Sequence, residues 1–216
     1  MDNVEKYVED LQACLTRLPL GDIRAVIAVL QDARFNDRQV FIMGNGGSAA
    51  TASHFACDLG KGTSVPDLPR FRVIALTDNT ALFSAYANDF GYECVFAEQL
   101  SNLLQERDVV IGISGSGNSP NVLRAFEMAR QRRATTVGFT GFDGGKMKGR
   151  VDLCVVVPSS CMEQVEDVHL ILEHLVCTCL RQSGGAERYP LPSAWASGGR
   201  GVQAEGYDGR AARDIP

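Results

Sequence analysis

A doubly wound α/β domain with a five-stranded parallel sheet is the fold class that this sequence predicts. Five short β-rich runs alternate with helical stretches after about residue 40. The runs are continuously apolar rather than alternating, as parallel strands covered on both faces must be. Five strands are too few for an (α/β)8 barrel, which leaves an open sheet.

Two amphipathic helices come first. Val4, Val8, Leu11, Leu15 and Leu18 recur at helical spacing, and Ile23, Val26, Ile27 and Leu30 repeat the pattern. The strands follow at Val40–Met43, Phe71–Leu76, Val109–Ser114, Thr136–Thr140 and Leu153–Val157. Helices are expected near 48–60, 79–88, 94–105 and 119–133, with a long one at about 162–182. Residues 1–182 therefore read as one domain including the N-terminal helical pair. The tail, 183–216, carries seven glycines and little apolar periodicity, so it reads as a loosely attached appendage or a segment that docks on a neighbouring subunit.

The bulk properties narrow the function classes. A chain of 216 residues that is 45% apolar can bury one sizeable core. A net charge of −5 and a pI near 5.2 argue against a general nucleic-acid binder, which needs a basic face. No apolar run approaches the roughly 18 residues that span a bilayer, and the start lacks a secretory signal, so no membrane partner is expected. Seven cysteines without a C-x-x-C pair suit a reduced cytoplasm.

Ligands of open α/β sheets bind beyond the carboxyl ends of the strands, so the loops there carry the information. After the first strand comes Gly44-Asn45-Gly46-Gly47-Ser48-Ala49, leading into a helix whose free N–H groups suit an anion. A plain βα turn is one alternative. Gly44, Gly46 and Ala49 also spell a dinucleotide fingerprint, but the acidic partner belongs about 20 residues on. Asp78, the nearest candidate after the second strand, is much further away, and no Gly-Lys-Ser/Thr makes a Walker loop. After the third strand, Ser114-Gly115-Ser116-Gly117-Asn118-Ser119-Pro120-Asn121 opens another helix. Three hydroxyls and several amides there suit a phosphate monoester without any lysine. Capping by Asn118 or Ser119 explains part of this loop, but it does not need Ser114 and Ser116. Thr77-Asp78-Asn79 and Asn88-Asp89-Phe90-Gly91 add short polar groups, each of which could be only an Asx turn.

There are three histidines, His54, His169 and His174. Asp58 follows His54 at i+4, on the same helical face. On the last helix Glu163 aligns with His174 and Glu166 lies about 80° from it, while His169 points about 140° away. A His/Asp pair on one helix and a Glu/His pair on another make either a metal site or an acid–base pair; surface or capping residues are the plainer alternative. His169 is left to structure or a subunit contact.

Together, Gly44-Asn45-Gly46-Gly47-Ser48, His54-Phe55-Ala56, Asn88-Asp89-Phe90-Gly91-Tyr92, Ser114-Gly115-Ser116-Gly117-Asn118-Ser119 and the Glu166…His169…His174 helix resemble the phosphoheptose isomerases, sedoheptulose 7-phosphate isomerases of the SIS (sugar isomerase) domain superfamily. The resemblance covers the chain to about Gln182 and excludes the tail. It implies a flavodoxin-like sheet, a homotetramer with active sites between subunits, and zinc, although two histidines and two carboxylates suit other divalent metals too. Its substrate-binding positions fall on Asn45, Gly46, Gly47, Ser48, Asn88, Asp89, Ser114, Gly115, Ser116, Ser119 and Glu166. Its catalytic positions fall on Asp58, His174 and Glu166, and its metal positions on His54, Asp58, Glu166 and His174. The family usually carries glutamate at position 58, glutamine at 166 and threonine at 115, where this chain has Asp58, Glu166 and Gly115. The activity implied is aldose–ketose isomerisation of a phosphorylated sugar, sedoheptulose 7-phosphate to D-glycero-D-manno-heptose 7-phosphate. The alternatives are a non-catalytic sugar-phosphate-binding adaptor and an isomerase of another long ketose phosphate such as an octulose phosphate.

Overall fold

The computed structural model describes residues 2–182 and 189–191. Helices α1 (Asn3–Thr16) and α2 (Leu20–Phe35) lead into β1 (Gln39–Gly44), α3 (Gly47–Cys57) and a π-helical turn, Asp58–Gly62. Then come β2 (Arg72–Ala75), α4 (Thr80–Phe90), a short 3-10 turn (Tyr92–Cys94) and α5 (Val95–Leu103). β3 (Val109–Ile113), α6 (Pro120–Gln131), β4 (Thr135–Thr140), β5 (Leu153–Val156) and α7 (Met162–Gln182) complete the order.

All five strands are parallel, in the order β2-β1-β3-β4-β5. The chain reverses its direction of travel across the sheet between β1 and β3, so the loops after these two strands lie side by side at the switch point. Alternate side chains split the core into two layers, as the period-2 pleat dictates. Val40 and Ile42 of β1, with Ile111 of β3, pack towards α2, α3 and α7. Phe41 and Met43, with Val110, pack towards α5 and α6.

Burial on both faces holds for β1, β3 and β4 but not for β2. β2 is an edge strand, and Ile74 on it is 40% exposed. Helix α4, which carries Leu82, Phe83, Tyr86 and Phe90, has no buried residue at all. In a single protomer an apolar helix therefore stands half open beside an edge strand. The N-terminal half of α1 is similar, with Val4 73% and Val8 48% exposed.

Arg34, buried at the end of α2, ties three segments together. Its guanidinium donates to the carbonyls of Pro69 (2.6 Å), Thr63 (3.1 Å) and Leu180 (3.5 Å), and it lies over the Phe71 ring. These bonds hold the chain after the π turn against the end of α7. Of the tail, residues 183–188 and 192–216 lie outside the described residues. Tyr189 docks: its amide donates to Gln31 of α2 and its side chain packs on the core.

Candidate active site

The glycine loop turns through Gly46, whose φ of +55° is a left-handed conformation that other residues adopt at a cost. No side chain caps α3, so its first N–H groups point into the loop. Asn45 and Asn121 hydrogen-bond reciprocally, Nδ2 to Oδ1, at 2.9 and 2.8 Å. Tyr92 adds its hydroxyl to Asn45 at 3.0 Å. This lock ties the loop after β1 to the start of α6.

In the serine loop the hydroxyls of Ser114 and Ser119 pair at 2.9 Å. Ser119 is the N-cap of α6 by position, with Pro120 following, yet its side chain caps no backbone N–H. The capping alternative therefore leaves the Ser119 hydroxyl unexplained. Ser116 accepts from the Asn118 amide at 3.3 Å, and Asn118 is itself fixed by Ser116 and Lys146 backbone bonds. A Cβ on Gly115 would strike the Met162 sulfur, so glycine at 115 and methionine at the start of α7 fit together.

Asn88 and Asp89 sit exposed at the end of α4, their side chains bonded to each other at 2.7 Å. Asp78 receives the Ser53 hydroxyl at 2.5 Å, which fixes the mouth of the β2 loop to α3.

His54, Asp58, Glu173 and His174 form the titratable cluster. One donor atom from each lies within 4.8 Å of the other three. Asp58 Oδ2 is 3.9 Å from His54 Nε2 and 4.0 Å from His174 Nε2. Glu173 Oε2 is 3.9 Å from His54 Nδ1 and 3.7 Å from His174 Nε2. The imidazoles are about half exposed, whereas Glu173 is 1% exposed and neither of its oxygens has a hydrogen-bond partner among the described residues. Burial first, and the charge of Asp58 second, push Glu173 up to about 8.

Three of the four residues expected from the sequence to hold a metal are thus together, and the fourth is elsewhere. Glu166 is exposed, and its carboxylate lies against Gly47, 2.9 Å from where a Cβ there would be. Glu173, not Glu166, completes the cluster. The reason is helical: seven residues advance the helix by about two turns and return within about 20° of the same stripe. Both glutamates face α3, but at different heights, one beside the glycine loop and the other beside His54. A stripe search along α7 starting from Glu166 would have found Glu173. His169, left to a structural role, is buried against Phe139, and burial pushes its imidazole down to about 4.

A separate open depression of about 580 Å3, lined by Arg17, Phe142, Asp143, Pro158, Ser159 and Ser160, contains none of these residues.

Known proteins resemble this chain throughout the described domain. The SIS domain family matches residues 6–141. A phosphoheptose isomerase of Helicobacter pylori is 38% identical over 179 residues, covering 83% of this chain and 88% of the relative. One from a Nitratiruptor species is 41% identical over 152 residues, covering 70% of this chain and 81% of the relative. Among solved structures, the phosphoheptose isomerase of Neisseria gonorrhoeae superposes with a TM-score of 0.74 at 30% identity, over 83% of this chain and 97% of that one. That of Francisella tularensis gives 0.75 at 26% identity, over 84% and 100%. With this sheet order, these two loops and these relatives, the chain belongs to the phosphoheptose isomerase family of SIS-domain proteins.

Proposed function

We propose that this chain interconverts sedoheptulose 7-phosphate and D-glycero-D-manno-heptose 7-phosphate. The observation that carries the reading is a His/carboxylate cluster on α3, the π turn after it and α7, in a domain whose two anion-suited loops meet at the sheet's switch point. Relatives named phosphoheptose isomerase support the substrate.

Isomerisation moves a proton between adjacent carbons and an oxygen-bound proton with it. Asp58 takes the carbon-bound proton as base, with Glu166 the alternative carboxylate. His174 shuttles the oxygen proton and opens the sugar ring. Ser114, Ser116 and Ser119, with the amides around Gly115 and the start of α6, hold the phosphate. Asn45, Gly46, Gly47 and Ser48 hold the sugar near the start of α3, where N–H groups stabilise developing negative charge.

The buried, unpartnered Glu173 carboxylate beside two imidazoles and Asp58 fits a divalent cation, and the donor set suits zinc, manganese or iron. Such an ion, when bound, polarises the substrate oxygens. The open faces of α1 and α4 and the exposed Asn88 and Asp89 support a homotetramer in which these two residues reach a neighbouring subunit's site. The seven free cysteines support a cytoplasmic location.

Incubating the purified protein with sedoheptulose 7-phosphate and following aldose formation tests the reading. Conversion is expected; sugar-phosphate binding without conversion would make the chain a binding adaptor instead.

A further inference from the structure

We infer that Asn121 is a positioning residue of the sugar site: with the Tyr92 hydroxyl it engages the Asn45 side chain from within the protein, and so holds the glycine loop at a set distance from the serine loop. The sugar then meets the glycine loop through backbone N–H groups rather than through the Asn45 side chain. The inference rests on the proposed division of labour, sugar at the glycine loop and phosphate at the serine loop, and adds the residues that set the spacing between them.

Three observations carry it. First, the Asn45 amide is already engaged. Its Oδ1 accepts from Asn121 Nδ2 at 2.8 Å and from the Tyr92 hydroxyl at 3.0 Å, which fills both lone pairs, and its Nδ2 donates to Asn121 Oδ1 at 2.9 Å. One N–H of the amide is left for a ligand. Second, the partners are braced. Asn121 is 1% exposed at the second position of α6, and its Oδ1 also accepts from the Val122 amide at 3.0 Å. Two residues earlier, Ser119 closes the serine loop on Ser114. The Tyr92 ring rests edge to face on Phe83, centroids 5.7 Å apart. Third, among the described residues the Asn45 bonds are the only side-chain hydrogen bonds that join residues 44–48 to another segment. Its neighbour Gly46, at a φ of +55°, has no side chain with which to hold the turn. A ligand held at both loops binds tightly only where their spacing is set beforehand, because ordering them on binding costs affinity.

The test measures, by calorimetry on the full chain, affinity for sedoheptulose 7-phosphate, which spans both loops, and for inorganic phosphate, which needs only the serine loop. Asn121→Ala is expected to weaken the sugar phosphate by about fivefold or more and to leave inorganic phosphate within about twofold of wild type. Asn45→Ala should weaken the sugar phosphate to the same extent, and the double variant by no more than about twofold beyond either. Tyr92→Phe, which removes the hydroxyl of a half-exposed ring, should weaken it by about threefold with phosphate unchanged, and it decides the matter alone where Asn121→Ala does not fold. Additive losses, or a loss in Asn45→Ala far beyond that in Asn121→Ala, would put the Asn45 side chain on the sugar and overturn the assignment. Equal loss of both ligands in Asn121→Ala, or unchanged sugar-phosphate affinity in it and in Tyr92→Phe, would overturn it as well. A phosphate affinity insensitive to Ser114→Ala, Ser116→Ala and Ser119→Ala would instead remove the loop assignments of the proposed function, and the inference with them.

Discussion

The rings of His54 and His174 meet edge to face, centroids 5.0 Å apart and planes at 81°, although one lies on the helix after the first strand and the other on the last helix. Asp58 stands about equally far from both, at 3.9 and 4.0 Å. If it is the base or a metal donor, Asp58→Asn should lower turnover of the heptulose phosphate by at least about a hundredfold. Phosphate binding should stay nearly intact, because the serine loop is separate. Asp58→Glu lengthens the side chain by one methylene, and a rise in turnover would show that the shorter carboxylate limits this enzyme. Steady-state kinetics and calorimetry with the sugar phosphate distinguish these outcomes.

The serine loop makes a separate prediction. Each hydrogen bond to a charged phosphate is worth about 1.5–3 kcal/mol, so Ser116→Ala should weaken binding by about tenfold or more. The fold should be unaffected, since among the described residues the Ser116 hydroxyl serves only a 3.3 Å contact to the Asn118 amide. Unchanged affinity in alanine variants of Ser114, Ser116 and Ser119 would place the phosphate elsewhere.

Gly115 and Met162 should be coupled. Gly115→Thr drives a Cβ into the Met162 sulfur. Met162 is 39% exposed and its thioether can swing aside, so the single variant should lose no more than about 1 kcal/mol of stability. Met162→Ala in the same chain should recover most of it. Additive losses in a double-mutant cycle would show that the two side chains do not meet.

His169 predicts a loss of stability in acid. Its folded pKa, about 4, lies below the ordinary 6.5. Between these values the unfolded chain binds more protons, so stability is full above about pH 6.5 and falls as pH drops towards 4. A shift of this size corresponds to about 3 kcal/mol. Denaturant unfolding of His169→Leu across that window should show a shallower acid loss than wild type. Parallel curves would assign the loss to other groups.

Light scattering at micromolar concentration should give a tetramer mass. Val8→Asp, on the exposed end of α1, should shift the population towards smaller species without unfolding the protomer. A monomeric wild type would remove the shared site.

The sheet and the positions of the glycine and serine loops after β1 and β3 were legible because their signals are local. A strand buried on both faces must be a continuous apolar run, and a loop that binds an anion through backbone amides must be rich in glycine and serine. His54 and Asp58 were legible for the same reason, through i, i+4 spacing on one helix. Tertiary structure decided what local signals cannot carry. Which stripe of α7 faces α3 depends on how α7 docks against α2 and α3, and that docking moves the fourth group of the cluster from Glu166 to Glu173. The helix after the glycine loop reads as one element to residue 60, but its last turn widens at Asp58 into a π turn closed by the Thr63 amide on the Asp58 carbonyl. Thr63 is in turn held by Arg34, a residue of α2. The exposure of β2 and α4 likewise follows from their position at the sheet edge, which depends on strand order rather than on composition.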